Sequence, residues 1–192
     1  MTSEIGQSLG SRARDLLGQR DICECRAAET LEVAEALWAV GERDLAAALL
    51  ERLTYERLSV PVDGDALRFR LAPLMARCVE DGLVACPDGS VSEEIALWRA
   101  VAAGDASLVA TRACMLSRRK DGAIHSTFWL DVAAHMGDAA AASATMDRFA
   151  LLEDAFRELG EHARAKEAWR ARLRLRAVAG SAGQNRPSSE EE

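Results

Sequence analysis

The residues with the best spacing for chemistry are Asp131 and His135, four apart and therefore on one face of a helix, with Asp138 three positions further on. A carboxylate, an imidazole and a second carboxylate can hold a divalent metal ion. An aspartate and a histidine at this spacing also form an ordinary solvated ion pair, and that is the expected reading. Cys23 and Cys25 are separated by a single residue and no second pair follows, so the spacing of a structural zinc site is absent. Cys78, Cys86 and Cys114 sit among apolar residues, as small core fillers do. The chain carries no H-E-x-x-H pair, phosphate loop, nucleophile elbow or dinucleotide glycine motif. No catalytic residue, metal or cofactor is therefore expected, and the chain reads as a non-enzyme.

Composition narrows the class further. The 192 residues carry a formal charge of -7, with 31 acidic against 24 basic residues, which opposes general affinity for phosphate backbones. Lys120 and Lys166 are the only lysines, a bias that reads as coding preference as much as physics. An odd number of cysteines without framework spacing fits a reducing compartment. No apolar run approaches the length of a membrane span. A cytoplasmic protein with no membrane partner and no nucleic-acid partner is expected.

The elements that must position any site are helices. Hydrophobic residues make up 49% of the chain and aromatic residues only 5%, alanine recurs through the apolar runs, and Val, Ile, Thr and Tyr never cluster in alternation. The segment from Phe149 to Arg176 reads as two helices and one turn. Phe149, Leu152 and Phe156 recur at helical spacing, Gly160 interrupts, and Ala163, Ala165, Ala168, Trp169 and Leu173 resume on a second stripe. Neither helix holds itself in water alone, so the two stripes are expected to face each other, with Trp169 as a buried staple. A second hairpin is read around Gly41. Val33, Ala34 and Leu37 precede the glycine, and Leu45, Ala46, Leu49, Leu50 and Leu53 answer it.

A glycine followed by an acidic residue recurs at Gly41-Glu42, Gly104-Asp105, Gly137-Asp138 and Gly160-Glu161, each closing one helix and opening the next. Residues 65 to 81 form a further helix that Asp65 caps, Gly82 ends and Pro73 either kinks or starts. Residues 83 to 91 are expected as a loop rather than a small hairpin. The helix with Ile95, Trp98 and Val101 is expected to pair with the one carrying Leu108, Val109, Ala113 and Leu116. After Gly137 the spacing to Gly160 is short, so either the next helix is truncated before Asp147 or one long helix serves both neighbours.

These hairpins resemble the tetratricopeptide repeat, whose pattern is W-x2-L-G-x2-Y on the first helix and A-x3-F on the second. Val33, Ala34 and Leu37 stand at the L-G-x2-Y positions and Ala46 with Leu50 at A-x3-F. Phe149, Leu152 and Phe156 take the large positions of the last pair, with Ala165 and Trp169 on its second helix. Glu153 departs, standing where the family has Gly or Ala. The resemblance then implies either a splayed pair or an end of the stack with one face open to water, and Arg172 and Arg176 read as a solubilising cap. The step from Gly104 to Gly137 is close to the family's period of roughly 34 residues, that from Gly41 to Gly104 is nearly two repeats, and the last step is shorter.

The resemblance implies an all-α, tetratricopeptide-like α-solenoid, an array of helical hairpins. The expected organisation is a polar leader or capping helix over 1–22, one helical domain over 23–179 and a disordered acidic tail over 180–192. It also implies a peptide or protein partner seated in a groove lined by first-helix residues one step off the core stripe. Trp38 and Trp98 occupy such positions, and Glu35, Glu94, Asp131, Asp154 and Arg157 are placed on the same surface. A carboxylate-rich groove would prefer a basic segment. The functional expectation is an adaptor, a chaperone or a regulatory subunit, with a toxin-neutralising immunity-type protein as a narrower form. The run LMARCVEDGLVACPDGSV also resembles the recognition helix and wing of a winged helix, giving a transcriptional regulator using 65–99 as the alternative. Against it stand Asp65, Glu80, Asp81, Asp88, Glu93 and Glu94 and the helical run EEIALWRAV where a strand should follow.

Overall fold

The computed structural model describes residues 2–19, 24–57, 64–86, 90–118 and 123–184. Among these residues the chain is all-α, a helical-hairpin array of nine helices with no strand. It divides into two compact units, Met1–Gly104 and Asp105–Glu192.

The first unit contains α1 (Thr2–Leu17), α2 (Glu24–Ala39), α3 (Arg43–Arg57), α4 (Gly64–Glu80) and α5 (Val91–Ala102). Helix α1 packs on α2 and α3. It runs unbroken through the buried Gly10, where a Cβ would lie 3.9 Å from the Leu45 side chain of α3, an ordinary contact. The last carbonyls of α1, left without partners inside the helix, are taken by Arg52 of α3. Its guanidinium donates to Leu16 O at 2.9 Å, to Leu17 O at 2.6 Å and to Gln19 O. The α2–α3 hairpin buries Leu31, Leu37, Leu49, Leu50 and Leu53 completely. At its turn Gly41 adopts φ 89°, and Glu42 N donates back to Leu37 O at 3.0 Å, the left-handed closure that favours glycine.

Helix α4 continues through Pro73, which stands on its exposed side, and packs its Leu71, Met75, Cys78 and Val79 face against α5, whose Leu97, Trp98 and Val101 are buried. It begins at Gly64, so Asp65 lies inside its first turn rather than capping it. Gly82 ends the turn after α4, with φ 71°. Between α4 and α5 no described residue is in a strand; 87–89 lie outside the described residues. The helix-then-strand order of a winged helix is therefore not formed by the described part of 65–99.

The second unit contains α6 (Ala106–Leu116), α7 (Ala123–His135), α8 (Ala139–Glu158) and α9 (His162–Gln184). Within the first unit α5 packs on α4, and within the second α6 packs on α7. The glycine–acid signal marks where a helix ends and another starts without saying which two helices share a face. Asp105 and Asp138 cap α6 and α8, accepting from Leu108 N at 2.9 Å and Ala141 N at 2.7 Å. Of the two readings of 138–160, one long helix is found: α8 spans 20 residues and packs on both α7 and α9. Helix α9 continues to Gln184, past Gly180 where the tail was expected to start, and 185–192 lie outside the described residues.

The α8–α9 hairpin forms, but its faces differ from the expected ones. Ala165, Ala168 and Leu175 are buried, while Leu152, Trp169 and Leu173 are exposed. The inward position on α8 is Glu153, 2% exposed, which takes Arg157 of its own helix and Arg172 of α9, whose Nη1 lies 3.2 Å from Oε2. Arg172 is thus an interior partner rather than a solubilising cap. The seam is filled by two alanines and a carboxylate, and Trp169 stays outside it.

Candidate functional site

The seven residues placed on a binding surface from sequence fall into both units, and each is described within its own. In the first unit Glu35 is half-buried on α2 and receives a fork from Arg70 of α4, Nε at 3.1 Å and Nη2 at 2.5 Å. That bond holds the Arg70 guanidinium pKa above its usual value. Trp38 is half-buried, with the Arg43 guanidinium 5.3 Å from its ring centroid.

Trp98 is not on a surface. It is 1% exposed, and its indole N–H donates to Glu94 Oε1 at 3.1 Å, one turn earlier on α5. Leu97, Trp98 and Val101 are all buried, so α5 presents an apolar face wide enough to take in both Leu97 and its neighbour. Glu94, also buried, supplies the acceptor that an indole N–H needs away from water. The expectation that Trp98 and Glu94 line an open groove is thereby corrected.

In the second unit Asp154 is exposed, 3.6 Å from Arg157 Nη1. Asp131 is 9% exposed on α7. His135 Nδ1 lies 2.8 Å from the Asp131 carbonyl oxygen and 3.5 Å from its carboxylate, so this pair tightens one helical turn. Asp138, the other carboxylate of that spacing, caps α8. Among the described residues no group of three His, Cys, Asp or Glu side chains comes together as a metal site, and no helix is long and apolar enough to cross a membrane.

Asp131 does stand at an opening. Between α7 and α8 lies a groove of about 580 Å³ lined by Phe128, Asp131, Arg148, Phe149, Leu151 and Leu152. Its floor is fixed from below. Trp129 is fully buried, edge-on to Phe128 at 5.2 Å, and donates to His125 Nε2 at 3.2 Å. Arg148 crosses from α8 to donate to Ser126 Oγ at 3.0 Å and Thr127 Oγ1 at 2.6 Å on α7, which ties the two walls together. Leu151 is 71% exposed at the lip. Sequence reading passed over Arg148 and Leu151. A signal was present: Leu151 and Leu152 are adjacent, about 100° apart on a helix, so a narrow stripe cannot bury both.

Arg157 lines a second, smaller opening of about 220 Å³ at the α8–α9 turn, with His162, Ala165, Lys166 and Trp169. Asp154 and Arg157 are brought together by the structure, as are Glu94 and Trp98. Asp131 and Arg157 belong to the lining of different openings.

No protein-family model, no curated protein and no solved structure matches the chain.

Proposed function

We propose that the protein is a non-enzymatic interaction module, an adaptor, chaperone or regulatory subunit, that holds an apolar segment of a partner protein in the α7–α8 groove. Consecutive packed hairpins with left-handed glycine turns are compatible with a tetratricopeptide-like array of irregular repeats, and we adopt that reading of the family. The observation that carries the function is the groove itself. Phe128, Phe149, Leu151 and Leu152 gather in one depression, with Leu151 mostly in water. Fully burying one such side chain is worth about 1.5–3 kcal/mol, so leaving a cluster of them outside is costly unless something covers it. Arg148 and Asp131 supply a polar rim that orients the occupant.

The test is quantitative affinity capture with the wild-type protein and a Leu151→Asp, Leu152→Asp double variant of equal helicity. A protein retained by the wild type and lost by the variant supports the groove. Identical capture profiles reject it.

A further inference from the structure

The α8–α9 hairpin carries opposite charge on the outward faces of its two helices. On α8, Asp147, Leu151, Asp154 and Glu158 lie at i, i+4, i+7 and i+11, all exposed on one face. On α9, Lys166, Arg170 and Arg174 lie at i, i+4 and i+8, also exposed on one face, with the half-exposed Trp169 and Leu173 beside them. These charges are not spent inside the chain. Among the described residues Asp147, Glu158, Lys166, Arg170 and Arg174 form no ion pair. Asp154 approaches only Arg157, at 3.6 Å, and the closer partner of Arg157 is Glu153. Arg148, Arg164 and Arg172 are engaged elsewhere, with the Ser126 and Thr127 hydroxyls, Glu161 and Glu153 respectively. Glu167 is the one carboxylate within α9, so its outward face stays net positive.

The two faces match in length as well as in sign. At a rise of 1.5 Å per residue the acidic face spans about 16 Å and the basic face about 12 Å. A two-fold contact sets α8 of each copy against α9 of the other, so every attractive pair forms twice. We infer that the protein self-associates through this hairpin, the acidic face of α8 in one copy meeting the basic face of α9 in the other, with Leu151 against Trp169 and Leu173. A second copy fits better than an unrelated acidic or basic partner. It uses both faces at once and covers apolar side chains on both helices, Leu151 at 71% exposure among them. The inference does not rest on the groove reading, although Leu151 is also the lip of the groove, so a second copy and a groove occupant exclude one another there.

The experiment is sedimentation velocity of the full chain over a concentration series. Salt is held at about 0.15 M, where a Debye length of about 8 Å screens the long-range repulsion between two net-negative chains. The wild type is expected to pass from monomer to dimer as its concentration rises. Two triple variants reverse one face each: Lys166→Glu, Arg170→Glu, Arg174→Glu makes both faces acidic, and Asp147→Lys, Asp154→Lys, Glu158→Lys makes both basic. Each should keep its helicity, since all six positions are exposed, and each should weaken self-association about ten-fold or more. Mixing the two variants should restore a dimer, because each then offers the sign that the other lacks. If a triple variant loses helicity, Arg170→Glu and Asp147→Lys alone repeat the comparison with a smaller expected loss. A wild type that stays monomeric at every concentration overturns the proposal and leaves the groove reading standing. A dimer that either reversal leaves unweakened, or reversed variants that stay apart when mixed, overturns it too.

Discussion

Two hairpins of this protein each bury a glutamate and each carry a tryptophan, and they use them in opposite ways. In α4–α5, Glu94 accepts the indole N–H of Trp98, and both side chains go inside. In α8–α9, Glu153 is held by Arg157 and Arg172, the seam is narrowed by Ala165 and Ala168, and Trp169 stays 40% exposed. A buried carboxylate is tolerated when its charge is met, and what meets it decides what else fits. An indole partner brings its own bulk into the core. A pair of guanidiniums satisfies the charge from the sides and leaves the large apolar groups of α8 and α9 for the surface. Leu151, Leu152, Leu159, Trp169 and Leu173 are all exposed there.

The contrast can be broken first at Trp98. Trp98→Ala should lower stability by about 3–5 kcal/mol, the usual range for removing a buried tryptophan, read as a fall in the chemical-denaturation midpoint. A small effect would place Trp98 outside the core. Next comes the carboxylate of the other hairpin. Glu153→Ala should cost about 1–3 kcal/mol by stranding the Arg172 guanidinium, whereas Glu153→Leu should cost clearly less, because an apolar side chain of similar size removes the desolvated charge as well. If both variants are equally stable, the arginines do not depend on Glu153. Trp169→Ala is expected to cost clearly less than Trp98→Ala, on the order of 1 kcal/mol, because 40% of Trp169 is already in water. A loss comparable to that of Trp98→Ala would mean that the indole is a staple after all.

The smallest effect is chemical. Burial pushes the Cys78 thiol up to about 11 from 9.0, with Asp81 adding to the shift, whereas Cys114 is exposed. In native protein at neutral pH, iodoacetamide should modify Cys114 well before Cys78, and only unfolding should level the two rates. The sign for stability follows. The folded state keeps the Cys78 proton longer than the unfolded chain does, so this contribution is present below pH 9 and is lost as pH rises from there towards 11. Early labelling of Cys78 in folded protein would contradict its burial.

Much of the architecture was legible because it is local. Gly41, Gly104, Gly137 and Gly160 each take the left-handed conformation that a helix end requires, and Asp105 and Asp138 cap the helices that follow. Which faces pack was less legible, since a turn signal says where a helix ends and not which side of it is buried. Leu97 and Trp98 are adjacent, and a stripe drawn through one seemed to exclude the other, but the α5 face is broad enough for both. Glu153 departs from an alanine position, yet its burial depends on Arg172, 19 residues along the chain, which no local pattern announces. Trp169 was read as core because its spacing is right. The buried positions of α9 fall instead on Ala165, Ala168 and Leu175.

The apolar residues left outside on α8 are proposed to form a docking surface. The most direct measurement replaces Leu151 with p-benzoylphenylalanine in cells and illuminates them, with the same residue at exposed Ala39 of α2 as the control. The prediction is one discrete cross-linked partner from position 151 that is absent from position 39. No cross-link at 151, or the same ladder from both positions, would contradict it.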